Sequence, residues 1–288
     1  MNEQFDSYRP LLFSIAYRML GTIVDAEDIV QDTFVTASTR NLEHIENTKA
    51  YFCKITTNRC LDVLKSARKK REVYVGPWLP EPLVIDHTHQ DPSREIIGKE
   101  YLSTAYLYMM EKLTPIERTV FILREVLNLD YKEVAEITEK TESNCRKIFS
   151  RTKQKINLNQ RETSFTYEEN ENIVTRFLNA LSTENTQQLT QLLSEDVVLY
   201  TDGGGKVIAA INPIKSRSRV LSFLLGISRK ATQKAENKLT NINGQPGFIA
   251  YENKIPVNVI TYRFENNKVK EIYIVRNPDK LINVVYGM

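Results

Sequence analysis

Residues able to do covalent chemistry are few in this chain and poorly placed for it. The three histidines are His44, His87 and His89, so nothing after residue 89 can offer an imidazole to a triad or a metal. The three cysteines, Cys53, Cys60 and Cys145, form neither a CxxC nor a Cys/His zinc pattern, and an odd, sparse set is no disulfide framework. Cys53 and Cys60 would share one helix face about 10 Å apart, beyond disulfide reach. His87 and His89, with Asp86 and Asp91 nearby, lack a third fixed ligand, so no metal is expected. Asp196, Tyr200 and Asp202 are types that a proton-transfer site uses, a carboxylate base and a phenol donor. Nothing in their spacing brings them into one cavity. Gly203-Gly204-Gly205-Lys206 is no phosphate loop, because GxxxxGK[ST] is absent. A triple glycine more often marks a flexible hairpin or a close backbone approach, and the second is expected here.

The chemistry on offer is non-covalent and ionic. Lys65, Arg68, Lys69, Lys70 and Arg71 crowd five cations into seven residues, and Arg146, Lys147, Arg151, Lys153 and Lys155 form a second cluster. Asp25, Glu27, Asp28 and Asp32 form an acidic patch. These local charges nearly cancel, to +3 over the chain. Separated basic clusters are the footprint of a phosphate-backbone binder, although any single charge run has a plainer account as a solvated helix face.

The elements that position these residues follow from periodicity. At 288 residues, about two domains are expected. Residues 1–72 read as helices: Leu11, Leu12, Ile15, Ala16 and Met19 fall at helical spacing, Gly21 and Thr22 break that helix, and Asp25 is placed to cap the next, which buries Ile29, Val30 and Phe34. A third helix runs from about Lys49 to Lys70, with Phe52, Ile55 and Val63 inward. Residues 73–92 hold four of the ten prolines and the only tryptophan, which predicts an extended linker. Residues 93–160 are helical again. Thr114-Pro115-Ile116-Glu117 is a capping box, Tyr131, Val134 and Ala135 start a short helix, and Thr138 to Lys140 form a turn. Thr141 caps a last helix with Cys145, Ile148, Phe149, Thr152 and Ile156 on its inner seam. That is the pattern of a helix-turn-helix. Residues 161–288 add two helices, the strands VVLYT, KVIAA, GFIAYE, VNVITYRFE and KVKEIYIV, and a helix from about Ile214 to Ser228. Asn266-Asn267 reads as a hairpin turn. The fold class is therefore all-α modules followed by an α+β domain.

The stretches DAEDIVQDTF, YFCKITTNRCLDVLKSARKK and LTPIERTVFILREV…YKEVAEITEKTESNCRKIFSRTKQKI resemble regions 2 and 4 of bacterial extracytoplasmic-function (ECF) sigma factors, over roughly residues 5–158. WLPEP (78–82), DGGGK (202–206) and NPDKL (277–281) are similar to motifs of one subgroup with a fused SnoaL-like, NTF2-like domain. The chain departs from the family in two places. Tyr51 or Phe52 stands where the region 2 helix usually has Trp, and Glu139 stands where the turn usually has Gly.

The resemblance implies roles. Asp25, Asp28, Gln31 and Asp32 would dock on the β′ clamp helices of core RNA polymerase, with the β flap a further contact. Tyr51, Lys54, Asn58, Arg59, Lys65, Arg68 and Lys69 would hold the single-stranded −10 element. Ser143, Arg146, Lys147, Ser150 and Arg151 would enter the major groove of promoter DNA at −35. Trp78, Pro80, Asp202, Gly203, Gly204, Gly205, Lys206, Asn277, Pro278 and Asp279 would make regulatory contacts between the tail and the sigma domains, with Trp78 and its prolines docking near Asp202–Lys206 and tying the linker down. The tail would thus replace a separate anti-sigma protein, and its cavity is the place for a small-molecule ligand. Two alternatives stay open: a DNA-binding regulator that senses a ligand, and a SnoaL-like enzyme. No cofactor and no enzymatic activity are expected. The start MNEQFDSYRP has no apolar signal region, and the apolar run Val220–Ile227 is short and interrupted, so a cytoplasmic protein without a membrane segment is expected.

Overall fold

The computed structural model describes residues 2–39, 45, 47–85, 102–157, 166–230 and 235–285. The His87/His89 segment, most of the 41–47 loop and the side chains of Arg68 and Lys69 lie outside the described residues. The chain divides into two units: 1–73 with 90–102 and 106–160, and 74–89 with 103–105 and 161–288.

In the first unit, α1 (Asn2–Leu20), α2 (Ile23–Ser38) and α3 (Thr48–Glu72) pack together. Leu12, Ile15, Ala16 and Met19 are buried as their spacing requires, and Gly21 (φ 73°) turns the chain out of α1. Two expectations need correction. The N-cap of α2 is Thr22, and Asp25 sits one turn in, where its carboxylate accepts the Thr22 hydroxyl at 2.5 Å. The inner face of α3 is Phe52, Cys53, Thr56, Thr57, Cys60 and Leu64. Ile55 and Val63 are only partly buried. Thr56 can face inward because its hydroxyl finds a partner there: it meets Thr33 at 3.1 Å, and Thr33 also donates to the Ile29 carbonyl, whereas the buried Thr57 hydroxyl is unpartnered among the described residues.

The same unit continues with α4 (Thr104–Met110) from Tyr106 onward, α5 (Pro115–Phe121) running into a π turn at Ile122–Val126, α6 (Tyr131–Thr138) and α7 (Glu142–Asn157). Both strands of the Thr114/Glu117 capping box are made, and Asp130 with Glu133 forms a second. Arg118, 3% exposed, donates to the Met19 carbonyl and to Glu111, tying α5 to the end of α1. Burial holds its guanidinium down to about 10.

In the second unit, α8 (Tyr167–Ser182), α9 (Thr186–Leu192) and α10 (Arg217–Lys230) pack on one face of a seven-stranded sheet. The strands are β1 (Val84–Ile85), β2 (Leu193–Asp202), β3 (Ile214–Lys215), β4 (Ala235–Ile242), β5 (Gln245–Glu252), β6 (Ile255–Glu265) and β7 (Lys268–Val275). Their spatial order is β1-β4-β5-β6-β7-β2-β3, antiparallel except for β2 beside β7. Val174, Phe177, Leu189, Val197, Leu199, Leu224, Tyr262 and Ile272 form the core under the helices. Asn266 and Asn267 take positive φ (51° and 60°), the hairpin turn expected of them. Helices first and a mostly antiparallel sheet after them is the element order that the NTF2-like resemblance implies. KVIAA is no strand: residues 206–210 form a loop in which Ile208 is 90% exposed. β4, which its polar sequence conceals, supplies the missing strand, and α10 starts at Arg217 rather than Ile214.

Candidate nucleic-acid interface

The turn between α6 and α7 sets the geometry of the interface. Glu139 caps α6 in the left-handed region (φ 55°, ψ 44°), a conformation that costs about 1 kcal/mol without glycine. The Thr141 hydroxyl then accepts the Asn144 amide at 3.3 Å and starts α7. Cys145, Thr152 and Ile156 are buried, so Ser143, Arg146, Lys147, Ser150 and Arg151 are all exposed on the other side. The cations are not equivalent. Arg146 pairs with Glu142 at 2.9 Å, Lys153 with Glu125 at 2.9 Å, and Lys155 with Glu117. Lys147 and Arg151 have no partner among the described residues.

On α2, Asp25, Asp28, Gln31 and Asp32 are all exposed, as is Glu27. On α3, Arg59 and Lys65 are exposed, and Lys54 and Asn58 are partly so. The pair between Lys65 and Asp62 at 3.1 Å is solvated on both sides and holds little. Phe52 is no stacking platform: it is fully buried against Phe5, Tyr8 and Phe34. Tyr51 is partly buried, with its hydroxyl enclosed and unpartnered. Burial raises the Cys53 thiol to about 11 and Cys60 further, so neither is a thiolate nucleophile near neutral pH.

The second unit brings the three short motifs together. Asp202, fully buried at the end of β2, accepts the Tyr74 hydroxyl (2.5 Å), the Leu79 amide (2.8 Å), the Lys280 ammonium (2.8 Å) and the Gly204 amide (3.1 Å). Lys280 also donates to the Leu79 carbonyl and lies over the Trp78 ring, 3.9 Å from its centre. Asn277 donates to the Tyr74 hydroxyl at 3.0 Å and accepts the Asp279 amide at 3.1 Å. Lys206 and Asp279 close the rim at 2.5 Å. Gly204 (φ 59°) leaves no room for a side chain: a Cβ would come within 2.6 Å of the Asn277 side chain. The close backbone approach expected of this loop is therefore real. Burial, then the bond to Asp202, pushes the Tyr74 phenol well above its usual range.

These partners define the place of Asp202 in the second unit. They lie in the linker and the C-terminal turn, with the neighbouring Gly204 amide. The segment 74–85 is tied down: Pro80 and Glu81 are buried, the Leu83 amide donates to the Asn243 side chain while the Leu83 carbonyl accepts the Asn243 amide, and β1 is an edge strand of the sheet. Asp202 is also excluded as a catalytic base, since all its acceptor capacity is taken and it points away from the Val197/Leu199 core face. Asp196 is tied to Lys270 and Ser194, which holds it down to about 2, and Tyr200 stacks on Tyr273. Sequence reasoning left out Lys280 and Tyr74 as site residues. The signal for Lys280 was present, a cation in the same short motif as Asn277. No signal marked Tyr74.

Among the described residues there is no cluster of three metal-ligating side chains, and no helix is long and apolar enough to cross a membrane. Residues 4–70 match the sigma-70 region 2 family and residues 103–156 match sigma-70 region 4. The chain is 29% identical to the ECF RNA polymerase sigma factor SigJ of Mycobacterium tuberculosis, over 96% of this chain and 92% of that protein. It is 27% identical over 143 residues to the ECF RNA polymerase sigma factor SigW of Bacillus subtilis, covering 46% of this chain and 73% of SigW. The crystal structure of Mycobacterium tuberculosis SigJ superimposes with a TM-score of 0.79 at 26% identity, covering 98% of each chain. With both sigma regions in order and a likeness to SigJ that runs the whole length, the chain belongs to the ECF sigma factors of RNA polymerase.

Proposed function

We propose that the chain initiates transcription at specific promoters by docking core RNA polymerase through α2 and DNA through α3 and α7, and that its C-terminal unit controls this through the linker. Asp25, Asp28, Gln31 and Asp32 make the acidic docking stripe for the β′ clamp helices. Arg59 and Lys65 face the −10 strand, and the outer face of α7 faces the −35 groove. One observation carries the control: the segment joining region 2 to region 4 is bound into the C-terminal unit by a fully buried carboxylate, Asp202. Whatever loosens that unit changes the freedom of the two DNA-binding regions.

The test is in vitro transcription with core polymerase, using wild type, Asp202→Asn and Lys280→Met. The hub variants should change promoter output several-fold in either direction with polymerase affinity unaltered. Asp28→Arg with Asp32→Arg should weaken polymerase binding by about tenfold or more, as reversed charges do at a complementary interface. Hub variants that transcribe like wild type would remove the regulatory role.

A further inference from the structure

The outer face of α7 carries cations in two physical states. Arg146 is held twice: its guanidinium carbon lies 4.3 Å from the centre of the Tyr131 ring, and its terminal nitrogen lies 2.9 Å from Glu142. The ring itself is fixed. Arg124 lies against it at 4.9 Å while donating to the Leu129 carbonyl at 2.7 Å, and Phe149 packs edge-on at 6.2 Å. Tyr131 belongs to α6, so the ring is built on the other helix of the motif. Lys147 and Arg151, by contrast, are exposed without partners among the described residues.

We infer that Tyr131 is a positioning residue for promoter recognition, which fixes Arg146 as the base-reading cation while Lys147 and Arg151 supply phosphate contacts. This rests on the reading of α7 as the −35 helix. A guanidinium stacked on a ring has lost much of its rotamer freedom before DNA arrives, and its edge stays open for two parallel hydrogen bonds to guanine O6 and N7. Glu142 adds a filter. The pair is solvated on both sides and holds little by itself, but a carboxylate beside the guanidinium is repelled by the phosphate backbone, so Arg146 contributes less to non-specific attachment than an unpaired cation. Free lysine and arginine side chains do the opposite. They bind phosphate at any sequence and set the salt dependence.

The experiment is selection from duplexes with a randomised −35 region, using the full chain on core polymerase, followed by binding to the selected duplex across a salt series. Wild type should select guanine at one position by roughly 5- to 150-fold. Tyr131→Leu should lose most of that preference without changing the salt slope, and Tyr131→Phe should keep it. Lys147→Ala and Arg151→Ala should each lower the slope by about 1 at every sequence and leave the preference intact. Arg146→Ala separates the two readings. If wild type selects no −35 sequence at all, the underlying assignment of α7 fails; if Arg146→Ala leaves the selected sequence unchanged, Arg146 reads no base and the inference fails. If it abolishes the guanine preference while Tyr131→Leu preserves it, the positioning role fails alone. Should Tyr131→Leu not fold, Glu142→Gln serves: binding to an unrelated duplex should rise several-fold as Arg146 is freed, and no rise overturns the inference.

Discussion

Lys280 and Asp202 are both nearly inaccessible, at 7% and 0% exposure, and each satisfies the other inside a shell made by Tyr74, Leu79 and Trp78. A buried pair of this kind is weak evidence for stability in itself, but removing one partner strands a charge. Lys280→Met should therefore destabilise the second unit by about 3–5 kcal/mol. Asp202→Asn with Lys280→Met should recover part of that loss, since a neutral amide needs no counter-ion. Trp78, the only tryptophan, sits under the ammonium and reports the event directly. Its fluorescence should follow the urea unfolding of this unit in wild type and shift its midpoint in the single variant. An unchanged midpoint would mean that the pair is not what holds the linker.

At the scale of elements, Glu139 is the clearest local misfit. It occupies the left-handed region at φ 55°, is exposed, and donates its amide to the Ala135 carbonyl, so its side chain supports nothing that glycine would lose. Glu139→Gly should stabilise the helix-turn-helix by about 0.5–1 kcal/mol, read as a higher melting temperature with the salt slope of DNA binding changed only by the lost negative charge. This turn, the Thr114/Glu117 box and the α7 seam were legible because each is decided within a few residues. Other elements were not, because distant partners decide them. KVIAA has strand composition, but the positive φ at Gly204 and Gly205 turns the chain, and the Thr201 hydroxyl bonds both the amide and the carbonyl of Ala210. β4 has weak alternation and exists because β5 and β1 pair with it on either side. The hub motifs could be named in sequence, yet their mutual contact spans about 200 positions, from Leu79 to Lys280, and no periodicity encodes that.

At the scale of the molecule, the path of the chain matters more than any one contact. It leaves the first unit after Val73, completes part of the second through Leu79, Leu83 and β1, and only later returns to build α5 to α7. The linker should accordingly share the stability of the C-terminal unit and not that of the helices on either side in sequence. Amide exchange tests this, because the Leu79 amide is held by Asp202 and the Leu83 amide by Asn243. Phe177→Ala removes a fully buried ring from the core beneath the helices of the second unit and should cost about 3–5 kcal/mol there. Both linker amides should lose protection in step with those of β5 in that variant. In Leu123→Ala, which opens a cavity in the first unit, they should keep it. Protection that instead follows the first unit would show that the connector is anchored from the sigma side, and the C-terminal unit would then have no mechanical hold on where regions 2 and 4 can go.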